Sequence, residues 1–194
     1  MDRAQQMEFE LVSPDGMRLG AITSLDFSLL RREKCSLYMP HTRIWLFEEI
    51  DASLNNPDAA KLLWVMGGAG TGKSVVSAML LERPGAERFA AHHFCLHTKP
   101  AESQPLVILA SLAAQLHANL AGFAAKFVSV SPPDVLKNAI GGELDIETAF
   151  KVLLCAPLKA CGCCTAVCVC VFGVAGLQWG CLQVCVCAHP DQAC

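Results

Sequence analysis

The residues from Gly67 to Ser74 carry the clearest chemical signal in the chain. They fit the phosphate-loop pattern G-x-x-x-x-G-K-[ST] at every fixed position. In order, they are Gly67, Gly68, Ala69, Gly70, Thr71, Gly72, Lys73 and Ser74. Phosphate oxygens are best held by several backbone N–H groups that converge at the N-terminus of a helix, where the helix dipole also favours an anion. The pattern therefore predicts a site for the phosphates of a nucleotide.

Two side chains of this loop have predicted roles of their own. Lys73 is expected to place its ammonium group against the β and γ phosphates, and the Ser74 hydroxyl is expected to complete the coordination of Mg²⁺. All eight loop residues are predicted to bind the nucleotide, and Ser74 is the predicted metal ligand. The expected ligands are Mg²⁺ and ATP, with GTP as the alternative nucleotide.

Hydrolysis requires an acid at the end of a second buried strand, where it holds the water shell of Mg²⁺. Downstream of Ser74, no run of four or five aliphatic residues ends in Asp or Glu. The nearest acids, Glu143, Asp145 and Glu147, stand in a pattern typical of the first turn of a helix. The residues therefore support binding of a nucleotide but not its hydrolysis, and no catalytic residue is predicted.

The spacing of apolar residues predicts the elements that position the loop. The apolar run before it predicts a strand buried on both faces, and the pattern after it predicts a helix. Thr42 is a candidate cap for an upstream helix that ends near Asn55. The predicted strands cover 61–66 and 88–97, and the other predicted helices cover 73–81, 103–120, 133–139 and 145–154. This order predicts a right-handed α/β unit, a P-loop NTPase-type parallel sheet flanked by helices.

Composition restricts the partners and the compartment. The formal net charge is −3, and no basic run of the kind that follows a phosphate backbone occurs, so nucleic acid is not an expected partner. The first residues lack the apolar run of a secretory leader, which favours the cytoplasm. Ten of the twelve cysteines lie between Cys155 and Cys194, which separates that part of the chain from an otherwise ordinary sequence.

Several short motifs flank the phosphate loop in a fixed order. They are TRIWLF at 42–47, LLWVMGGAGTGKS at 62–74, AAHHFC at 90–95, PLVI at 105–108, SLAAQL at 111–116 and TAF at 148–150. Together they resemble the start of a NACHT-type nucleotide-binding domain of the signal-transducing ATPase class, in its nephrocystin-like N-terminal variety. The resemblance implies an ATP-binding switch in signal transduction that changes its assembly state with the bound nucleotide. In such domains an element near Trp45 contacts the nucleotide base.

The resemblance ends at Ala160 and suggests three segments. Residues 1–39 are interpreted as a linker or peripheral hairpin with a turn at 13–16, and residues 40–160 as a partial NACHT-type P-loop NTPase domain. Residues 161–194 form a Cys- and Val-rich tail with no predicted regular structure. Since the family's next strand, which carries the Mg²⁺-directing acids, is missing, the sheet is expected to be incomplete and to leave an apolar strand edge open.

Three interpretations compete for the tail. Cys161 and Cys164, with Cys181 and Cys185, could form a zinc site, although the second spacing is not the usual one. The uncharged stretch 164–187 exceeds the about 20 residues that cross a bilayer, which would make the chain a membrane-anchored module. Val-Cys-Val-Cys-Val is what a GTGTGT tract encodes. The favoured interpretation is therefore translated non-coding sequence, and a membrane is not an expected partner.

The remaining candidates have structural explanations. Four residues of the second predicted strand could bind a metal or, for the cysteine, act as a nucleophile: His92, His93, Cys95 and His97. They are interpreted instead as core or sheet-end residues. Trp45 and Trp64 are interpreted as core residues beside the loop. The alternative function is a non-catalytic scaffold fragment with a vestigial phosphate loop, whose helices at 103–158 contact protein partners; the oligomeric state is not predicted.

Overall fold

The computed structural model describes residues 7–56, 62–68, 70–96, 98–161, 167–174 and 180–187. These residues group into two compact units. Unit 1 comprises the described residues up to Asp26 and from Ala101 to Cys161. Unit 2 comprises those from Phe27 to Pro100 together with 167–174 and 180–187.

Strands and helices alternate irregularly along the described residues. In chain order they are β1 (Met7–Val12), β2 (Arg18–Ser24), α1 (Ser28–Ser36), α2 (Ile44–Asn55), β3 (Leu62–Gly67), α3 (Lys73–Glu82), a 3-10 turn (Ala86–Arg88), β4 (Phe89–Leu96), α4 (Pro105–Asn119), α5 (Ala121–Phe127), α6 (Pro133–Gly141), α7 (Ile146–Phe150), a π-helical stretch (Lys151–Cys155), α8 (Ala156–Ala160), β5 (Val167–Val174) and β6 (Gly180–Cys187). The chain is therefore a mixed α/β protein.

Unit 1 begins with an antiparallel hairpin of β1 and β2. The turn between the strands lies at the predicted position, where the Ser13 hydroxyl accepts a hydrogen bond from the Met17 N–H at 3.0 Å. Leu11, Leu19 and Ile22 of the hairpin are buried. Apolar burial of this extent stabilises the hairpin, because an isolated two-stranded ribbon is marginal in water.

The helices of unit 1 complete its core. Helices α4 and α6 contact β2, and the Leu25 N–H donates to the Ser111 hydroxyl of α4 at 3.0 Å. The prediction of a long helix here is confirmed, and it begins at Pro105, which is favoured at the first helical position. Residues 121–127 form α5, which the spacing of apolar residues did not predict.

The last predicted helix is longer in the structure than in the sequence prediction. Asp145 caps α7 by accepting a hydrogen bond from the Thr148 N–H at 3.0 Å, as its residue type favours. Instead of ending at Leu154, the helical path continues through the π-helical stretch into α8 and ends at Ala160. Pro157 does not stop it, because it lies in the first turn of α8.

Unit 2 is built on a four-stranded sheet with the order β3-β6-β5-β4. Strand β6 is antiparallel to both β3 and β5, whereas β5 is parallel to β4. Strands β3 and β4 consequently run in the same direction with two strands between them. Helix α3 contacts β3, β5 and β6, and α1 contacts α3.

This sheet corrects two expectations drawn from the sequence. The sheet is mixed, not parallel, because apolar runs indicate strands but not their directions. Strands β5 and β6 lie in the tail, where no regular structure was predicted. One side of β3 is paired with β6 from Leu62 to Gly67, and β3 is the end strand of the described sheet. The tail thus supplies strands that pair with β3 and with β4.

Candidate functional site

The phosphate-loop motif of unit 2 connects β3 to α3, as the sequence predicted. Gly67 is the last residue of β3, and Gly72 caps α3, whose first residue is Lys73. Ala69 lies outside the described residues. Since the first amide groups of any helix have no partner within that helix, the start of α3 presents N–H groups and the positive end of the dipole to the loop.

The Lys73 side chain lies across the loop that precedes it. Its ammonium nitrogen donates to the carbonyl oxygens of Gly67 and Gly68, each at 2.6 Å. The Thr71 hydroxyl donates to the same Gly68 oxygen at 2.9 Å. These bonds hold the ammonium group at the carboxyl end of β3.

Two glycines of the loop have left-handed backbone conformations. Gly70 has φ of 76° and Gly72 has φ of 78°, values that cost an L-residue with a Cβ about 1–2 kcal/mol. A Cβ on Gly70 would meet no atom within 4 Å, whereas a Cβ on Gly72 would lie 2.7 Å from one terminal nitrogen of Arg43 and 2.8 Å from the other. The guanidinium group of Arg43 therefore lies directly against the start of α3.

The turn before α2 brings Arg43 to this place. Both His41 and Arg43 have positive φ, 64° and 57°, which is uncommon outside glycine. The turn is held by the Tyr38 hydroxyl, which donates to the Thr42 carbonyl at 3.0 Å. The Thr42 hydroxyl donates to the Met39 carbonyl at 2.6 Å, so the prediction that Thr42 caps α2 is wrong. Helix α2 instead begins after Arg43 and ends at Asn55, as predicted.

A cavity of about 250 Å³ lies beside the loop. The residues that line it are Arg43, Trp45, Leu46, Val65, Met66, Gly67, Thr71, Lys73 and Val76. Two of these carry a positive charge, and the described lining contains no carboxylate. One wall comes from the start of α2, and the opposite wall from β3 and α3. The cavity can therefore hold an anion with an apolar group attached to it.

The tryptophans beside the loop differ from the prediction. Trp45 is 65% exposed and Trp64 is 53% exposed, so neither is a core residue. Met66 is 71% exposed, and β3 is therefore not buried on both faces. The sequence prediction failed because the burial of an apolar run depends on what covers it, and alternate residues of a strand face opposite sides. Arg43 was not singled out from the sequence; its place in the TRIWLF motif was the available signal.

The acids considered for Mg²⁺ belong to unit 1. Asp145 accepts a hydrogen bond from the N–H of Thr148. Hydrogen bonding to the side chain of Thr148, and then to its N–H, lowers the pKa of Asp145. Glu147 accepts a hydrogen bond from Lys151 at 2.6 Å, which raises the pKa of Lys151. Asp145 thus caps α7 and Glu147 lies in its first turn, in agreement with the interpretation from the sequence. Ser74, the predicted metal ligand, lies half-buried in the first turn of α3.

The histidines of β4 include one core residue. His93 is fully buried, and its ring centre lies 5.1 Å from that of Phe27. Burial raises the pKa of the Cys95 thiol, which disfavours the thiolate that a nucleophile needs. His97 lies outside the described residues. Among the residues that the structure describes, no group of three or more His, Cys, Asp or Glu side chains could hold a metal ion.

Unit 1 has a larger cavity, of about 480 Å³, between α4 and α7. Its lining is apolar except for Glu147, and it therefore lacks the cations that would attract phosphate. Within the described part of the chain, no helix has the length and apolar character needed to cross a membrane.

Comparison with known protein families gives a match over most of the chain. The family model described as "Nephrocystin 3, N-terminal" matches residues 41–170, about two thirds of the chain. The match includes Arg43 and the whole phosphate loop. It continues ten residues past Ala160, the residue at which the resemblance described from the sequence ends. Neither the curated proteins nor the solved structures include a significant match. The chain therefore belongs to the nephrocystin 3 N-terminal domain family.

Proposed function

We propose that this chain binds a nucleoside triphosphate together with Mg²⁺ at the loop 67–74. The observation that supports the proposal is that two cations from separate elements, Arg43 and Lys73, line one small cavity at the N-terminus of a helix. A polyphosphate is the common ligand that matches this combination, because it has several negative charges within a few ångströms.

Each loop residue has a place in this proposal. The backbone amides at the start of α3 bind phosphate oxygens, Lys73 exchanges its carbonyl partners for the β and γ phosphates, and Ser74 ligates Mg²⁺. The Arg43 guanidinium adds a planar donor on the side of α2. Trp45, exposed in the same cavity, offers an aromatic surface to the base. ATP is the proposed nucleotide and GTP the alternative.

Hydrolysis is not part of the proposed activity. The strand parallel to β4 is β5, and neither β5 nor the residues up to Ala188 contain an acid. An acid in that region would hold the water shell of Mg²⁺. We accordingly assign binding without turnover, in the manner of a NACHT-type regulatory switch in the cytoplasm. Changes of assembly state and protein partners belong to the same proposal.

The test is a titration of the purified chain with a fluorescent ATP analogue, with and without Mg²⁺. Saturable binding is expected for the parent and is expected to be lost in Lys73→Ala. Lys137→Ala is the matched control. Lys137 is exposed on α6, so this substitution removes the same charge at a place away from the loop. Ser74→Ala is expected to bind the analogue while losing the dependence on Mg²⁺.

The alternative is a scaffold fragment with a vestigial phosphate loop. A parent chain that unfolds cooperatively yet fails to bind the analogue would favour this alternative. Equal binding by the parent and by Lys73→Ala would also reject the proposed site. Phosphate release, followed in the same samples, is expected to remain at the level of the Lys73→Ala variant.

A further inference from the structure

The cavity beside the phosphate loop has two walls that no β-sheet pairing joins. Arg43, Trp45 and Leu46 form one wall at the start of α2, which is not part of the sheet. The other wall consists of β3, the loop and α3. The distance between the cations Arg43 and Lys73 therefore depends on whatever fixes α2 against α3.

A cluster at the far end of α3 makes such a connection. Arg83 directly follows α3, and its terminal nitrogen lies 2.5 Å from a carboxylate oxygen of Asp51 on α2. The guanidinium carbon of Arg83 lies 4.8 Å from the ring centre of Phe47, which stands one helical turn before Asp51. Phe47 is buried, and the Arg83 side chain is only 19% exposed. The ion pair and the cation–π contact thus act on one face of α2.

Helices α2 and α3 are consequently joined at both ends of α3. At its start, the Arg43 guanidinium lies against Gly72, and at its end Arg83 holds Phe47 and Asp51. The first contact lines the cavity, whereas none of Arg83, Phe47 and Asp51 does. The second contact can therefore affect a ligand only through the position of α2.

We propose that Arg83 is a positioning residue of the nucleotide site, which holds α2 through Asp51 and Phe47 so that Arg43 stays over the phosphate loop. This inference rests on the proposed nucleotide binding. The planar guanidinium group suits Arg83 for this role. The donors in its plane bind the carboxylate of Asp51, while its face stacks on the ring of Phe47. A lysine can make the ion pair but cannot make both contacts in this way.

The experiment uses the full chain and two readouts. The first is the affinity for the fluorescent ATP analogue with Mg²⁺, and the second is amide hydrogen exchange of residues 44–55 without nucleotide. Arg83→Met keeps most of the side-chain volume and removes the charge. Arg31→Met is the matched control, because Arg31 pairs with Glu82 at 3.4 Å at the same end of α3 and joins it to α1.

The expected result is an affinity about tenfold lower for Arg83→Met and for Asp51→Asn, with faster exchange over residues 44–55. Arg31→Met is expected to change neither quantity, even where its unfolding temperature falls equally. Arg83→Lys is expected to give an intermediate affinity. The charge-exchanged double variant Arg83→Asp with Asp51→Arg is expected to recover affinity relative to either single change, because the ion pair is restored with its charges exchanged.

Three results distinguish a failure of the positioning role from a failure of the proposed nucleotide binding. Unchanged affinity of Arg83→Met, with a parent that binds, overturns the positioning role. An equal loss of affinity in Arg31→Met overturns it also, since the effect would then follow stability. If the parent itself binds no nucleotide, the proposed function fails, and the hold on α2 is judged by exchange alone: faster exchange in Arg83→Met upholds it, and unchanged exchange overturns it.

Discussion

The contact between Gly72 and Arg43 can be tested by adding a single methyl group. In Gly72→Ala, the new Cβ would lie 2.7 Å from the guanidinium group, well inside van der Waals contact. The backbone at φ of 78° would cost about 1–2 kcal/mol with alanine. Because an arginine side chain is flexible, the guanidinium group is expected to move away, and the clash itself is expected to add little to the loss of fold stability.

Gly70→Ala provides the control for fold stability. Gly70 has φ of 76°, almost the same strain, and a Cβ there meets no atom within 4 Å. Urea unfolding is therefore expected to show similar losses for the two variants, about 1–2 kcal/mol each. A loss for Gly72→Ala that is larger by several kcal/mol would mean that Arg43 cannot move from its place.

The affinity for nucleotide shows how much binding is lost when the Arg43 guanidinium group moves away from the loop. A hydrogen bond from a charged donor contributes about 1.5–3 kcal/mol, which corresponds to about 10- to 100-fold in the dissociation constant. Gly72→Ala is expected to weaken binding of the ATP analogue by about this factor in the parent, and by much less in an Arg43→Ala background. Equal losses in the two backgrounds would refute the inference that Arg43 contacts the phosphates from its place against Gly72.

Two further predictions concern unit 1 and depend on pH. Burial lowers the pKa of His117, whose ring centre lies 5.3 Å from that of Phe9. The contribution of neutral His117 to fold stability is therefore fully present above about pH 6.5 and is lost as the pH falls through the lower pKa of the folded state. His117→Phe is expected to reduce this loss in thermal unfolding between pH 7 and pH 5, and parallel curves for parent and variant would contradict it. Asp145→Ala is expected to lower the unfolding temperature at pH 7, because the cap to Thr148 is lost. Since the pKa of Asp145 is lowered in the fold, this difference is expected to narrow below about pH 3.9, and a constant difference would count against the cap.

Local sequence patterns predicted the elements around the phosphate loop well. Strand β3, helix α3 and strand β4 lie within one or two residues of their predicted ends, because glycines and a proline mark those ends. The cap at Asp145 was predictable for the same reason, since its side chain bonds to a neighbour in sequence. Information of this kind is contained within a few consecutive residues.

Features that depend on distant residues were not predictable in the same way. The exposure of Trp64 and Met66 depends on what covers that face of the sheet. The pairing of β3 with β6 joins residues more than a hundred positions apart. Arg43 lines the candidate site only because a turn with two left-handed residues directs it to Gly72, and arginine is not a residue type that signals such a conformation.

The two cations of the site also differ in how firmly they are placed. Lys73 belongs to the loop and helix of the proposed phosphate site, and its ammonium group bonds to carbonyls within six residues. Arg43 is the residue just before α2 and lines the same cavity, and the described sheet does not include that helix. A ligand that touches both cations would bind the two elements together, and α2 would then be less free when nucleotide is bound than when it is absent. Nucleotide-dependent exchange over residues 44–55 is thus the signal by which the proposed binding without hydrolysis could still report the presence of the ligand.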